Sequence, residues 1–466
     1  MSLSRPVRTL AALAATAGLV LGVTAGSQAL RAPVPGSERG PDTLFPTQGN
    51  GGYDVRSYHV RLAYQPRRHH LDAVTTIAAR AQRPLSSFSL DFVGMRVRAV
   101  RVDGSRASFA RHGHELVVTP RRAVRGAFTT TVSYTGKPRD HTDPDDSQEG
   151  WVRTPDGATA LGEPVGAMTW LPSNNTPGDK ATYTFRVTAP ARLKVAANGV
   201  LARRTTHGAR TTWVWRETAP MATYLAIVSI GKYDLFHSSM RSVTGRRIPI
   251  WSFVDPTTEP SARARRLLPK VIRFEERIFG RYPFRSAGMI IDNADVGYAL
   301  ETQDRPFYPF DADTATLVHE TAHQWYGDSV TLTDWHDIWL AEGFATYAEW
   351  LWEAAHGGAT PARQFDKLYA KPAGNPLWHP APTGFTDPAD LFGAQSYNRG
   401  AMTLQALREQ VGRQDFFRIL RAWATQHRHG SVRTAQFVKL SEKVSGQQLD
   451  TLFADWLARE GKPAGY

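Results

Sequence analysis

Two histidines stand four residues apart in the stretch LVHETAHQWYGDS (residues 317–329), with a glutamate directly after the first. On an α-helix, positions i and i+4 share a face. His319 and His323 can therefore grip one metal ion, while Glu320 beside them handles the proton of a water. Zinc held in this way needs a third protein ligand and an open fourth position. Glu342, in WLAEGFATYAEW, lies nineteen residues past His323. That separation lets the chain finish one helix, cross a loop and return on a second, antiparallel helix. Leu317, Val318, Ala322, Trp325 and Tyr326 crowd the histidines with apolar groups, which predicts a buried helix. Buried imidazoles and carboxylates need strong partners, and metal ligation supplies them. Thr346 and Glu349 follow Glu342 by four and seven residues, on one helical face, where they could orient a ligating histidine.

HETAHQWYGDS followed by DIWLAEGFATYAEWLW resembles the gluzincin aminopeptidases of the aminopeptidase N and leukotriene hydrolase type. The resemblance runs from about Gly51 to the C-terminus. It implies a saddle-shaped β domain packed on a thermolysin-like catalytic domain. It also implies one Zn2+ per chain, held by His319, His323 and Glu342, with Glu320 as general base. GYALETQDRP (297–306) resembles the exopeptidase motif of that family, which places Glu301 at the substrate α-ammonium. Tyr298 stands where the family has its leading glycine, and Thr302 where it has asparagine. LGEPVGAMTWLPSNNTPGDKATY resembles the β-domain segment that reaches the active site, with Glu163 as a second carboxylate for the amine. SYNRGAMTLQALREQVG resembles the segment with a catalytic tyrosine, so Tyr397 is expected to serve the oxyanion. Ala341 replaces an asparagine that usually precedes the third ligand. The implied activity is removal of N-terminal residues from peptides with a free amine. A thermolysin-like endopeptidase would share the zinc triad but would not need Glu301 or Glu163.

The elements that must position these residues fall into two blocks. From Tyr53 to about Tyr233, segments such as SYHVRLAYQP, FTTTVSYTG, ATYTFRVTAP and TTWVWRE alternate apolar and polar residues between turn signals. They predict an antiparallel β domain over residues 51–236. Asn198-Gly199 is a two-residue hairpin signal within it. Beyond SVTGRRIPIWSFVDP the period becomes helical, and a mainly helical domain is predicted over 237–466. From Thr314 onward the helices are expected at 314–327, 337–356, 361–371, 399–411, 414–428, 433–445 and 447–460. The fold class is thus α+β, with a β domain followed by a helical catalytic domain. Residues 30–50, rich in Pro, Gly and Ser, read as a flexible linker.

Composition narrows the rest. The 466 residues include no cysteine, which excludes disulfides, cysteine metal sites and a cysteine nucleophile. Arg5 and Arg8 precede an apolar run from Leu10 to about Val23, and Ser27-Gln28-Ala29 offers small residues for cleavage. Residues 1–29 therefore read as an export signal, which predicts a secreted or cell-envelope protein with no stable membrane insertion after cleavage. A retained anchor is the other reading of that run, which is near the lower length limit of about 17–25 residues for a membrane span. The formal charge is +13, with the arginines scattered and no basic arm. No nucleic-acid motif accompanies that charge, so it is read as solubility or attraction to an anionic envelope.

Overall fold

Alternating burial builds the first half of the chain. In the strand Tyr53–Gln65, Val55, Tyr58, Val60, Leu62 and Tyr64 point inward. The alternation skips once, where a bulge between Val55 and Ser57 restores the inward face. This strand lies inside an eleven-stranded sheet. It pairs antiparallel with His70–Ala81 on one side and parallel with Ala181–Pro190 on the other. A second sheet of five strands contains Ala158–Leu161 and Gln148–Arg153, whose connections reach the site described below. The computed structural model describes residues 1–2, 32–258 and 262–466. The expected export signal lies, but for its first two residues, outside the described residues. Pro33–Tyr466 forms one unit in which both predicted domains pack together.

Two expectations for the β half are corrected. Asn198-Gly199 does not close a hairpin. Lys194–Ala197 pairs with Val228–Gly231, whereas Val200–His207 pairs with Arg210–Met221 in the other sheet. The turn signal is overridden by tertiary bonds: the Asn198 amide donates to the carbonyls of Leu225 and Gln303, both at 2.9 Å, and accepts from Ile227 N at 2.8 Å. Gly199 has φ +87°, and a Cβ there would lie 2.0 Å from the Arg216 carbonyl oxygen. Gly199→Ala should therefore lower the free energy of unfolding by at least about 2 kcal/mol, read as a shift in the denaturant midpoint. An unchanged midpoint would show that this crossover is more pliable than its contacts indicate.

The second correction concerns the flexible linker expected over residues 30–50. From residue 33 onward the segment is docked by side chains. Asp42 is buried and accepts from Leu44 N, Phe45 N and Trp335 N, and Thr43 Oγ1 donates to Asp334. Val34–Pro35 adds a short parallel strand beside Leu85–Asp91.

The catalytic half begins with a four-stranded sheet, Asp234–Arg241, Arg247–Val254, Ala287–Ile291 and Phe307–Tyr308. The expected boundary at residue 236 falls inside its first strand. The main helices among the described residues are α1 (Ala262–Phe279), which lies between the second and third of these strands, and then α2 (Thr314–Ala322), α3 (Trp339–Ala355), α4 (Pro361–Tyr369), α5 (Gly400–Gln426) and α6 (Thr434–Ser445). Helix α5 is broken at Gly412, between the two helices read from the sequence. Helix α2 stops earlier than expected, because the chain turns after His323 and Asp328 N returns to the His323 carbonyl at 2.9 Å. The expected 447–460 helix is short, Asp450–Phe453 followed by a π turn over Ala454–Ala458.

Helix α3 is buried nearly all round from Trp339 to Trp352, as expected of a helix at the centre of a domain. It packs against α2 and α5. It meets α5 at Gly343 and Gly400, where a Cβ on Gly343 would lie 2.7 Å from Gly400 backbone. That close crossing brings the start of α5 to the ligand-bearing face of α3. Among the described residues, no helix is long and apolar enough to cross a membrane.

Candidate metal centre

The Asp313 carboxylate caps α2 by accepting from Thr316 N at 2.8 Å, so the helix starts cleanly ahead of His319 and Glu320. His323 closes its last turn. Across from them, the first turn of α3 carries Glu342. Nε2 of His319 is 3.0 Å from Glu342 Oε2, and Nε2 of His323 is 3.5 Å from the same oxygen. Tetrahedral ligands of one zinc ion, each at about 2.0–2.2 Å, stand roughly 3.3–3.5 Å apart. Both histidine–glutamate separations therefore lie within a few tenths of an ångström of the spacing that one ion requires.

The far side of each imidazole is also engaged. Nδ1 of His319 lies 2.6 Å from Glu349 Oε1, and Nδ1 of His323 donates to the Tyr326 carbonyl at 3.1 Å. Those bonds place a proton on Nδ1 and leave Nε2 of each ring turned toward Glu342 as a ligand. Glu349 thus makes the contact expected of it. Thr346 hydroxyl bonds neither histidine among the described residues. Ala341 is buried in the core and offers no polar group to the ligands.

The remaining site residues come from three irregular segments. Glu301 sits on the loop before α2. The Gln324 side chain ties that loop to α2, donating to Glu301 O at 3.1 Å and accepting from Asp304 N at 2.6 Å. Arg305, fully buried, donates to the carbonyls of Ala197 and Gly199 and anchors the same loop to the β domain. Glu163 comes from that domain. Its neighbour Val165 donates its N–H to Glu149, and the Asn175 amide donates to Val165 O at 2.8 Å. Tyr397 sits in a π turn, Gln395–Arg399, just before α5, an irregularity common at functional sites. Arg399 pins that turn by donating to the carbonyls of Trp456, Trp378, Asp455 and Arg459. The Tyr397 ring stacks on His319 at 5.9 Å between centroids.

The seven residues expected to meet metal, water or substrate line one cavity of about 150 Å³: Glu163, Glu301, His319, Glu320, His323, Glu342 and Tyr397. Its electrostatics are those of a cation trap. Burial lifts Glu163 well above the usual carboxylate range, and Glu301 and Glu342 push it further. Burial also raises Glu301, against the pull of His323. Burial takes Glu320 up to about 8, opposed by His319 and His323. Glu342 resists its own burial because His323 and His319 hold it at about 2. Burial works against a charged His323, yet the Glu342 and Glu301 carboxylates bring it up to about 9. One oxygen each of Glu163 and Glu301 is buried without a hydrogen-bond partner. The donor set, its spacing and this surplus of buried carboxylates fit a zinc ion held by His319, His323 and Glu342.

Sequence reasoning passed over Glu275 on α1. It is fully buried with both oxygens unpartnered, and its carboxyl, raised by burial, feels the charge of His319. The signal was available, because Leu268, Val271, Ile272, Glu275 and Phe279 share one helical stripe. Tyr298 was known only as a replacement for glycine. Its hydroxyl donates to Gln148 O at 2.7 Å and ties the Glu301 loop to the five-stranded sheet.

Comparison with known proteins follows the same two-part division. Residues 55–225 match the Peptidase M1 N-terminal domain, and residues 310–456 match the Peptidase family M1 domain. An aminopeptidase N of Streptomyces lividans is 28% identical over 316 residues, 61% of this chain and 36% of that protein. A probable aminopeptidase 2 of Sulfurisphaera tokodaii is 24% identical over 413 residues, covering 81% of this chain and 50% of its own. The chain thus spans half or less of the length of these curated relatives. An M1 zinc metallopeptidase variant of Deinococcus radiodurans, solved with a Tyr-Ser-Ala substrate, superposes with a TM-score of 0.81 at 29% identity. That match covers 91% of this chain and 98% of the other.

Proposed function

The chain belongs to the M1 peptidase family, and we propose on that basis that it is a zinc-dependent aminopeptidase removing N-terminal residues from peptides. The observation that carries the exopeptidase reading is the pair of buried carboxylates, Glu163 and Glu301, each with an oxygen lacking a partner, beside the His319–His323–Glu342 cluster. A substrate α-ammonium satisfies both by charge-assisted hydrogen bonds. An internal stretch of peptide would leave both carboxylates buried and unpaired, which is costly.

When bound, the zinc ion supplies Lewis-acid polarisation of the scissile carbonyl and of the attacking water. In this reading Glu320 takes the water proton and passes it to the leaving amine. Burial, with Glu342 and the other carboxylates of the site, pushes the Tyr397 hydroxyl well above its ordinary range. The phenol therefore keeps its proton and serves as a donor to the developing oxyanion. Glu163 and Glu301 hold the substrate N-terminus and so set the cut one residue in.

The test is a survey of aminoacyl fluorogenic substrates alongside N-blocked peptides, with and without a chelator. Metal-dependent release from free-amine substrates only is the expected outcome. Efficient cleavage of blocked peptides would favour the endopeptidase reading instead. A smaller effect is expected at the rim of the ligand set. Glu349→Gln keeps the shape but removes the charge that orients His319. Zinc affinity should then fall about 10–100-fold, as for other residues that support metal ligands. Chelator competition would measure it, and an unchanged affinity would make the 2.6 Å contact incidental.

Residues 1–29 support export of this enzyme by their charged, apolar and small-residue order. N-terminal sequencing of extracellular protein from the native host should begin near Leu30. Soluble protein that retains Met1 would refute export by cleavage.

A further inference from the structure

A second set of metal-ligating side chains stands beside the cleft. Strands Asp140–Thr142 and Gln148–Arg153 pair antiparallel, with His141 opposite Glu149. Nε2 of His141 is 3.7 Å from Asp143 Oδ1 and 3.9 Å from Glu149 Oε1. One ligand atom from each of the three residues lies within 4.8 Å of the other two. The Asp143 side chain is 3% exposed and the Glu149 side chain 0%. No N–H or hydroxyl donor reaches either Asp143 oxygen, and the group that faces its carboxyl at hydrogen-bond range is the Glu149 carboxyl. Glu149 accepts from Val165 N at 3.2 and 3.3 Å. Among the described residues no lysine or arginine pairs with either acid.

Two carboxylates buried together must either share a proton or hold a cation. The imidazole bears on the choice, because it adds a third ligand atom for a cation and has no part in a shared proton. At 3.7 and 3.9 Å it is too far from both oxygens to donate a hydrogen bond. A zinc ion would draw these atoms in by a few tenths of an ångström, since its N and O ligands stand roughly 3.3–3.5 Å apart. His141 is a third exposed, so the ion has a route from solvent. We propose that His141, Asp143 and Glu149 form a second divalent-cation site, separate from the catalytic ligands. One imidazole with two carboxylates suits Zn2+.

The placement gives such an ion a task. Asp145 and Ser147, on the loop between the two strands, line the cleft with Glu301 and His319. Gln148 O accepts from Tyr298 on the Glu301 loop. Val165, bonded to Glu149, lies two residues from Glu163. An ion here would clamp the cleft wall and both amine-binding segments without touching the reacting atoms. His141, Asp143 and Glu149 are positioning residues in this role.

The experiment is a zinc count by elemental analysis after equilibrium dialysis of the whole purified protein against micromolar zinc chloride. Wild type should hold two equivalents. His141→Ala and Asp143→Asn should each hold one, with kcat on an aminoacyl substrate retained and KM raised. His323→Ala should also lose one equivalent, but with loss of turnover, which separates the two sites. One equivalent in wild type would overturn the proposal and leave Asp143 and Glu149 sharing a proton. Two equivalents in both hairpin variants would overturn it as well, by placing the second ion elsewhere. A wild-type count of one overturns the proposal even if a variant fails to fold, and either hairpin variant that folds locates the second ion.

Discussion

Glu320→Gln is expected to lower turnover of aminoacyl substrates by about 10²–10⁴-fold while leaving the metal content at its wild-type value. Both halves of that result follow from where the side chain sits. Glu320 lies on α2 between the two ligating histidines, but it is not among the three groups that converge on one point. Glutamine has the same shape, so His319, His323 and Glu342 keep their spacing and their bonds to Glu349 and Tyr326. What disappears is the capacity to accept a proton. The carboxylate environment makes a substitute base hard to find: His323 and His319 hold Glu342 at about 2, and Glu163 and Glu301 are the proposed holders of the substrate amine. Metal analysis and single-turnover kinetics on the same preparation give the measurement. Retained turnover with bound metal would move the general base to another carboxylate of the cavity. Lost turnover with lost metal would show that Glu320 supports the ligand helix instead.

The convergence of His319, His323 and Glu342 was legible in the sequence because helices translate spacing into geometry. His319 and His323 share a face by periodicity alone, and the interval to Glu342 is the length of a turn and a return. The strands of the β half were legible for the same reason, since burial alternates along Tyr53–Gln65 apart from one bulge. What periodicity could not place are the residues on irregular backbone. Glu163, Glu301 and Tyr397 were singled out by resemblance, and it is buried side chains far away in sequence that hold them: Asn175 for the Glu163 segment, Gln324 and Arg305 for the Glu301 loop, Arg399 for the π turn. Misreadings share that origin. Asn198-Gly199 satisfies the local rule for a hairpin, yet its amide bonds Leu225 and Gln303 across the domain. Residues 33–50 have the composition of a linker, yet Asp42 reaches Trp335 in the catalytic half. In each case a polar side chain spends its hydrogen bonds on a distant partner, and local composition carries no trace of that partner.

Glu301→Ala tests the feature that separates an aminopeptidase from a general metallopeptidase. The loop that carries Glu301 is held by its backbone: Gln324 donates to the Glu301 carbonyl and accepts from Asp304 N, and Arg305 bonds Ala197 and Gly199. None of those bonds uses the Glu301 carboxylate, so the loop survives its removal. The carboxylate is buried, with one oxygen unpartnered, and in the variant a bound ammonium loses one of its two anionic partners in a poorly solvated cavity. Removing one member of such a buried charge pair costs about 2–5 kcal/mol, which is about 30- to 5,000-fold in kcat/KM. The loss should fall on free-amine peptides. N-acetylated peptides, which carry no charge there, should lose little from their already low rates. Metal content should not change, because the ligand atoms lie on other residues. Matched kinetics on free and acetylated forms of one peptide give the ratio directly. Equal losses on both would make Glu301 a structural acid, and the amine would then be read by Glu163 alone.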